Sequence, residues 1–206
     1  MNCPIKRVHF GGFVFNVYEE VYEPAEDTCL LAENLDIKEG DRVLDVGTGC
    51  GLLGILAAKN ACNVVAVDLN PFAIRCAKEN SDLNGVRRKM DFVQASLFAA
   101  LNQNFTFDLI LFNAPYLPSE ENETESWIER AWAGGANGRE VVDRFICIVP
   151  RHLNPNGRVL LMQSTLTGVE ETLRAFRACG LKACVKAECK LPFFETLTLI
   201  QASAGV

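Results

Sequence analysis

Apolar residues along this chain change their period several times, and each change marks an element. Phe10-Gly11-Gly12-Phe13-Val14-Phe15 and Val17-Tyr18-Glu19-Glu20-Val21-Tyr22 set aromatic and β-branched residues around a glycine pair, which predicts a short N-terminal β-hairpin. Pro24 ends it, and Glu26-Asp27-Thr28 offers cap residues for a helix over about 28–35. Strand and helix patterns then alternate. Strands are predicted over 42–47, 64–69, 91–95, 107–113 and 158–163, and helices over 52–59, 71–84, 140–149 and 168–178. Pro71 stands in the first turn of its helix, Asn154-Pro155-Asn156-Gly157 is a turn, and Gly180 stops the helix before it. The last two strands, 181–189 and 194–201, are separated only by a turn at Leu191-Pro192. That is too short for a parallel crossover, so they pair as a hairpin and one strand runs antiparallel. The expected fold is α/β, a doubly wound sheet of seven strands with an antiparallel C-terminal hairpin strand and a short N-terminal β-hairpin. One domain is expected over 1–206, with 1–24 the hairpin extension and 25–206 the core.

The run Phe107-Asp108-Leu109-Ile110-Leu111-Phe112 is apolar on both faces and reads as a buried strand. Asn113-Ala114-Pro115-Tyr116 follows at its carboxyl end, where open α/β sheets bind ligands. A carboxamide beside an aromatic ring suits a planar polar group, an amide or a nucleobase edge. A carboxylate or phosphate would call for Arg or Lys. Leu117–Gly138, next along the chain, lacks a clear period and is long for a connection. It carries Glu120, Glu121, Glu123, Glu125 and Glu129, both tryptophans, and Gly134-Gly135-Ala136-Asn137-Gly138. It reads as a functional loop or as a solvated excursion with a short helix around 125–132. The acidic run would face a basic protein surface or simply be solvated.

The first strand runs into Asp45-Val46-Gly47-Thr48-Gly49-Cys50-Gly51-Leu52-Leu53-Gly54. Gly49-x-Gly51-x-x-Gly54 matches a dinucleotide fingerprint, and Asp45-x-Gly47-x-Gly49-x-Gly51 matches loops that bind S-adenosyl-L-methionine. Position favours the second. Gly47 stands where the strand ends, and the Asp45 carboxylate would repel a pyrophosphate and attract the ammonium of a methionine moiety. Asp68 closes the next strand, 23 residues after Asp45, where an acid meets ribose hydroxyls in either nucleotide class. With neighbouring Leu69 it is assigned to the cofactor. Gln94-Ala95-Ser96-Leu97-Phe98 follows the third strand. Ser96 would accept from an adenine exocyclic amine, and the Leu97 backbone would pair with a ring nitrogen.

Composition narrows the partners. The net charge is −6 and the pI about 5.1, which disfavours a nucleic-acid substrate. Arg87-Arg88-Lys89 is the one tight basic cluster and reads equally as a solvated turn. The nine cysteines show no C-x-x-C spacing, and they are expected to be reduced and mostly to act as small core residues. Only His9 and His152 are present, so no metal site is expected. No apolar segment reaches membrane-span length and no leader is recognisable, so a cytoplasmic location is expected. Phe92–Val93 reads either as an apolar sheet edge able to take a partner strand or as an ordinary buried strand.

Asp45–Gly51, Asp68 and Asn113–Tyr116 together resemble a class I S-adenosylmethionine-dependent methyltransferase of the N-methylating kind. Within that class the chain resembles the HemK family of release-factor glutamine methyltransferases, in its short archaeal and eukaryotic branch. Val21-Tyr22-Glu23-Pro24-Ala25-Glu26-Asp27-Thr28, the tetrapeptide, and Gly134-Gly135-Ala136-Asn137-Gly138-Arg139-Glu140-Val141-Val142-Asp143-Arg144-Phe145 carry that likeness. It implies a Rossmann-like methyltransferase sheet without the bacterial N-terminal helical domain. It implies Thr28, Asp45, Gly47, Thr48, Gly49, Gly51, Asp68, Leu69, Ser96, Leu97 and Asn113 at the cofactor, and Asn113, Ala114, Pro115 and Tyr116 at the reacting amide. The implied substrate is the glutamine of the Gly-Gly-Gln tripeptide in a class 1 translation release factor. The implied partner is a small zinc-binding activator subunit. Lysine and nucleobase methylation occur among relatives, and a scaffold subunit without activity is the non-enzymatic alternative. Two residues depart from the family pattern: Ala114 replaces the first proline of Asn-Pro-Pro-Tyr, and Ser96 stands where Asp is common. Ala114 keeps the main-chain carbonyl offered to the amide and, before Pro115, an extended bias.

Overall fold

The computed structural model describes residues 6–119 and 126–205. Cys3, Glu120, Glu121, Glu123 and Glu125 lie outside the described residues. The seven strands are β3 (Arg42–Val46), β4 (Asn63–Asp68), β5 (Met90–Gln94), β6 (Phe107–Asn113), β7 (Leu153–Ser164), β8 (Leu181–Lys190) and β9 (Thr196–Ala204). They form one sheet in the order β5-β4-β3-β6-β7-β9-β8. β9 pairs antiparallel with both β7 and β8, and the pairings from β5 to β7 are parallel. The near-continuous apolar runs of β3, β4 and β6 reflect burial on both faces.

Helices α1 (Glu26–Glu33), α2 (Leu52–Ala58) and α3 (Pro71–Leu83) cover one face. Helices α5 (Glu140–Ile148) and α6 (Val169–Ala178) cover the other. The short α4 (Trp127–Arg130) lies in the β6–α5 connection. Asn70 caps α3 by accepting from the Phe72 amide at 2.9 Å, with Pro71 at the first position. Among the described residues no helix is long and apolar enough to cross a membrane.

The N-terminal hairpin, β1 (Lys6–Phe10) and β2 (Phe13–Val17), turns at Gly11 and Gly12, both with positive φ. Asn80 of α3 and Asn84, which caps the carboxyl end of that helix one turn on, dock it. Asn80 accepts from the Asn16 amide at 2.9 Å and donates to the Asn16 carbonyl at 2.9 Å. Asn84 does the same for Val14 at 3.0 and 2.8 Å. These carboxamides substitute for a neighbouring strand and satisfy the edge of β2. Asn70 Nδ2 then donates to the Glu20 carbonyl at 2.6 Å, and this steers 22–28 over the carboxyl end of the sheet.

The structure changes several expectations. β7 is one strand through 153–164, because Asn156 takes a left-handed φ of 64° and absorbs the expected turn as an irregularity against β6. β9 begins at Thr196, not 194, because Phe193 and Phe194 both have positive φ and form the turn. The cysteines are not mainly core residues. Cys50 and Cys76 are buried, but Cys62, Cys147, Cys179 and Cys184 are exposed at loops, helix surfaces and the edge strand β8. Of the two readings of Phe92–Val93 the sheet order selects the edge, since β5 is its first strand. The basic cluster is an ordinary turn beside it: Arg87 stacks on Phe92 at 5.1 Å and Lys89 donates to the Ala61 carbonyl at 3.2 Å.

Candidate active site

A cavity of about 330 Å³ opens at the carboxyl ends of β3, β4 and β6, within the ~300–1,000 Å³ of small-molecule sites. It lies where the chain order reverses about β3, whose neighbours are β4 and β6. The β3–α2 loop is pinned to the tip of β4. The Gly47 and Thr48 amides donate to the Val67 carbonyl at 2.8 and 3.1 Å, and the Gly49 amide donates to Asp68 Oδ2 at 2.9 Å.

The glycines of this loop do different work. Gly49 has φ 55° and nothing within 4 Å of where a Cβ would stand, and it lines the cavity. A Cβ on Gly51, at φ 88°, would meet Ala77 Cβ at 2.9 Å, so Gly51 lets α2 approach α3. A Cβ on Gly54 would stand 2.9 Å from Asp45 Oδ2.

Asp45 is fully buried behind the loop and does not line the cavity, contrary to a direct ion pair with a bound ammonium. Its Oδ2 accepts from Thr48 Oγ1 at 2.6 Å and from the Gly54 amide at 3.0 Å, which fastens both ends of the loop. Oδ1 has no partner, and burial pushes the carboxyl up to about 7. Asp68 does line the cavity. Its oxygens accept from the Gly49 and Asn70 amides at 2.9 Å each, and burial raises its pKa against those hydrogen bonds. Each oxygen keeps a second acceptor position. Leu69, Ser96 and Leu97 also line the cavity; Leu97 is buried with φ 50°, a strained backbone for a leucine.

Asn113, Ala114, Pro115 and Tyr116 form the opposite wall. Asn113 Nδ2 donates to Thr28 Oγ1 at 3.1 Å. The Thr28 hydroxyl donates in turn to Asp27 Oδ1 at 3.1 Å, and Tyr22 donates to Asp27 Oδ2 at 3.1 Å. Because the Asp27 carboxylate takes the Thr28 proton, Thr28 can only accept from Asn113. The Asn113 amide is therefore held with Nδ2 toward α1 and Oδ1 buried without a partner. Burial, with the Asp27 and Glu195 carboxylates nearby, holds the Tyr116 hydroxyl well above the usual phenol range, so it stays protonated.

The methyltransferase small domain family matches residues 23–186. The chain belongs to this family. A protein of Methanocaldococcus jannaschii, provisionally named protein N5-glutamine methyltransferase, is 43% identical over 195 residues, covering 93% of this chain and 96% of that protein. Human methyltransferase HEMK2 is 36% identical over 176 residues, covering 80% and 81%. In the solved structure of the E. cuniculi Mtq2–Trm112 complex, responsible for methylation of the eRF1 translation termination factor, one chain superposes with a TM-score of 0.70. The identity there is 29%, and the match covers 90% of this chain and 99% of that one.

The methyltransferase also lines its cavity with residues to which the sequence pattern gave no individual role. Tyr22, Asp27, Trp127, Trp132, Val141 and Arg144 line the cavity. Arg130 and Arg144 bring two guanidinium-bearing residues to the cavity, the residue type that the tetrapeptide itself does not supply. The Glu-Pro-Ala-Glu-Asp-Thr stretch is a usable signal for Asp27, and the long aperiodic segment 117–138 is the signal for the tryptophans. The glycine-rich stretch has a steric reason. A Cβ on Gly138 would lie 2.4 Å from the Tyr116 carbonyl oxygen and 2.5 Å from Thr167 Cγ2, so glycine brings this loop onto the tetrapeptide. Leu117 completes the link by donating to the Trp132 carbonyl and accepting from Gly134, at 2.9 and 2.8 Å.

Proposed function

We propose that this chain is an S-adenosylmethionine-dependent N-methyltransferase whose substrate is the side-chain amide of a protein glutamine, in the Gly-Gly-Gln tripeptide of a class 1 release factor. The observation that carries this reading is the Asn113 amide, locked by Thr28 with Oδ1 buried and unpartnered. A buried acceptor without a donor costs about 1–3 kcal/mol, and an entering N–H removes that cost.

The residues present suit the cofactor. Asp68 keeps acceptor positions for vicinal hydroxyls, Gly49 leaves open space where any side chain would intrude, and Leu69, Leu97 and Phe112 supply apolar wall. Bound S-adenosylmethionine supplies an electrophilic methyl on a sulfonium sulfur.

An amide nitrogen is a weak nucleophile because its lone pair is delocalised into the carbonyl. Asn113 Oδ1 and the Ala114 carbonyl would accept its two N–H bonds, and both acceptors stabilise the positive charge that develops as nitrogen takes the methyl. Tyr116 packs on the planar amide and orients it, and fixed proximity supplies the rest. The methylated nitrogen loses a proton to solvent afterwards, so no general base is required. Ala114 leaves the turn with one constraint fewer than a second proline would impose.

A small zinc-binding activator subunit and a cytoplasmic setting complete the proposal. The exposed edge of β5, with half-buried Phe92 and Val93, is available for a partner strand. The test is mass spectrometry of a release factor after incubation with the chain, the activator and labelled S-adenosylmethionine. One added methyl on the tripeptide glutamine is expected. Label appearing only on nucleic acid or lysine would overturn the assignment.

A further inference from the structure

Trp132, Leu166, Phe193 and Phe194 are exposed large apolar residues, and all four stand in connections at the carboxyl end of the parallel strands, Leu166 in the short 3-10 turn Thr165–Thr167. Phe193 and Phe194 are 95% and 105% exposed. They form the β8–β9 turn with adjacent φ values of 62° and 67°. Two successive left-handed residues are the geometry that Asn-Gly adopts with least strain. Here two phenylalanines take it and bury neither ring. Backbone strain and apolar exposure both oppose this choice, so folding does not account for it.

The turn adjoins the catalytic mouth. Met162 of β7 pairs with Asn113, and Leu199 of β9 pairs with Met162, so β9 runs about two strand spacings, ~10 Å, to the side of Asn113 and the turn stands beyond it along the strand. The Glu195 carboxylate at the end of the turn is near enough to raise the pKa of the Tyr116 hydroxyl. Leu191 at its base packs on the same apolar cluster as Tyr116. The Thr196 amide donates to Thr165 Oγ1 at 3.0 Å, which ties the turn to the Leu166 loop. Gly138 joins that loop to Tyr116.

We propose that Phe193 and Phe194, with Leu166, form an apolar rim that seats the folded domain carrying the target glutamine. The proposal rests on the protein-glutamine function above. It adds that recognition extends beyond the tripeptide to an apolar patch beside it, with the two rings as anchors. A nucleic acid would need cations along this rim for its phosphates. Thr165, Leu166, Thr167, Phe193, Phe194 and Glu195 carry none; beside them stand a single exposed Lys190 at the base of the turn and Arg139, which is engaged by the Thr167 and Gly168 carbonyls.

The test compares the wild-type full chain, with its activator where turnover requires it, against Phe193→Asn/Phe194→Gly and Leu166→Thr. The double variant gives the turn its preferred residues, so its Tm is expected to hold or rise. On intact release factor its KM is expected to rise ~10-fold or more while kcat is kept, the signature of lost uniform binding. Leu166→Thr is expected to raise KM in the same direction. An unchanged KM overturns the proposal. So does a fall in Tm of the double variant, which would make the rings structural. So does a wild-type dimer, seen by light scattering, that the variant dissolves, which would make the rim a self-interface. If the wild type modifies nucleic acid instead of release factor, the functional reading fails and takes this one with it.

Discussion

Asn113 and Thr28, 85 residues apart in sequence, share a 3.1 Å hydrogen bond that decides which end of the Asn113 amide faces the cavity. Thr28→Val removes the acceptor while keeping shape, and frees the carboxamide to turn. A fall in kcat of about 10-fold is expected, the worth of one hydrogen bond, with cofactor affinity little changed and a lower Tm, because Asn113 Nδ2 and Asp27 lose a buried partner. Thr28→Ser keeps the hydroxyl and should retain most of the rate. Steady-state kinetics on both variants checks this.

Asn113→Ala removes the buried acceptor itself. A loss of ~100- to 1,000-fold in kcat is expected, as for deleting one preorganised transition-state contact. S-adenosylmethionine affinity by calorimetry should stay close to wild type. Activity comparable to wild type would sink the mechanism.

Gly49 and Gly51 look alike in the motif and should respond differently to alanine. Gly49→Ala meets nothing in the folded chain and costs about 1–2 kcal/mol for its left-handed φ. Its methyl enters the cavity, so weaker cofactor binding is the main expected effect. Gly51→Ala drives a methyl against Ala77 and adds overpacking of about 1–3 kcal/mol to the same strain. Lower stability is therefore its main effect. Denaturant melts and cofactor titrations separate the two.

Asp45 sets a pH dependence of folding. Burial raises its carboxyl from 3.8 to about 7, so the native state holds a proton that the unfolded chain releases. The resulting stabilisation is complete below the unfolded value and is lost as pH rises through the folded one. Relative to Asp45→Asn, wild-type stability should fall between about pH 4 and pH 7, by an amount on the order of 4 kcal/mol, and level off above. Urea midpoints across that window test the slope, and a slope of opposite sign would be incompatible with a neutral buried Asp45.

Thiol reactivity should follow the surface rather than the hydrophobic character of cysteine. Cys62, Cys147, Cys179 and Cys184 are exposed and free. Burial pushes Cys76 up to about 12 and raises Cys50 as well. Native-state labelling followed by peptide mapping should modify the first four and spare Cys50 and Cys76.

Much of the architecture was legible because strand and helix periods are local. The runs 42–47, 64–69 and 107–113 needed no distant partner to be recognised, and β3, β4 and β6 follow them closely. The place of Asn113–Tyr116 and Asp68 on the cavity wall was legible because open α/β sheets form their clefts at the carboxyl ends of the strands. The misreadings have a common cause. Asp45 faces away from the cavity because Thr48 and Gly54 claim its oxygen. Phe194 has the propensity of a strand residue but lies in the β8–β9 turn with a left-handed φ, which no local preference of phenylalanine announces. The exposed cysteines stand in a loop (Cys62), on the outer face of α5 (Cys147), at the end of α6 (Cys179) and on edge strand β8 (Cys184), places set by packing and not by residue type.

The sequence by itself determined the strand–helix alternation, the antiparallel final pair and the amide-and-glycine chemistry at the strand tips, since each depends on residues within a few positions of one another. Only the tertiary structure decided the direction of the Asn113 amide, the division of labour between Gly49 and Gly51, and the aromatic rim near Tyr116. Those depend on Thr28, Ala77 and the β8–β9 turn, which packing brings to the site from distant parts of the chain.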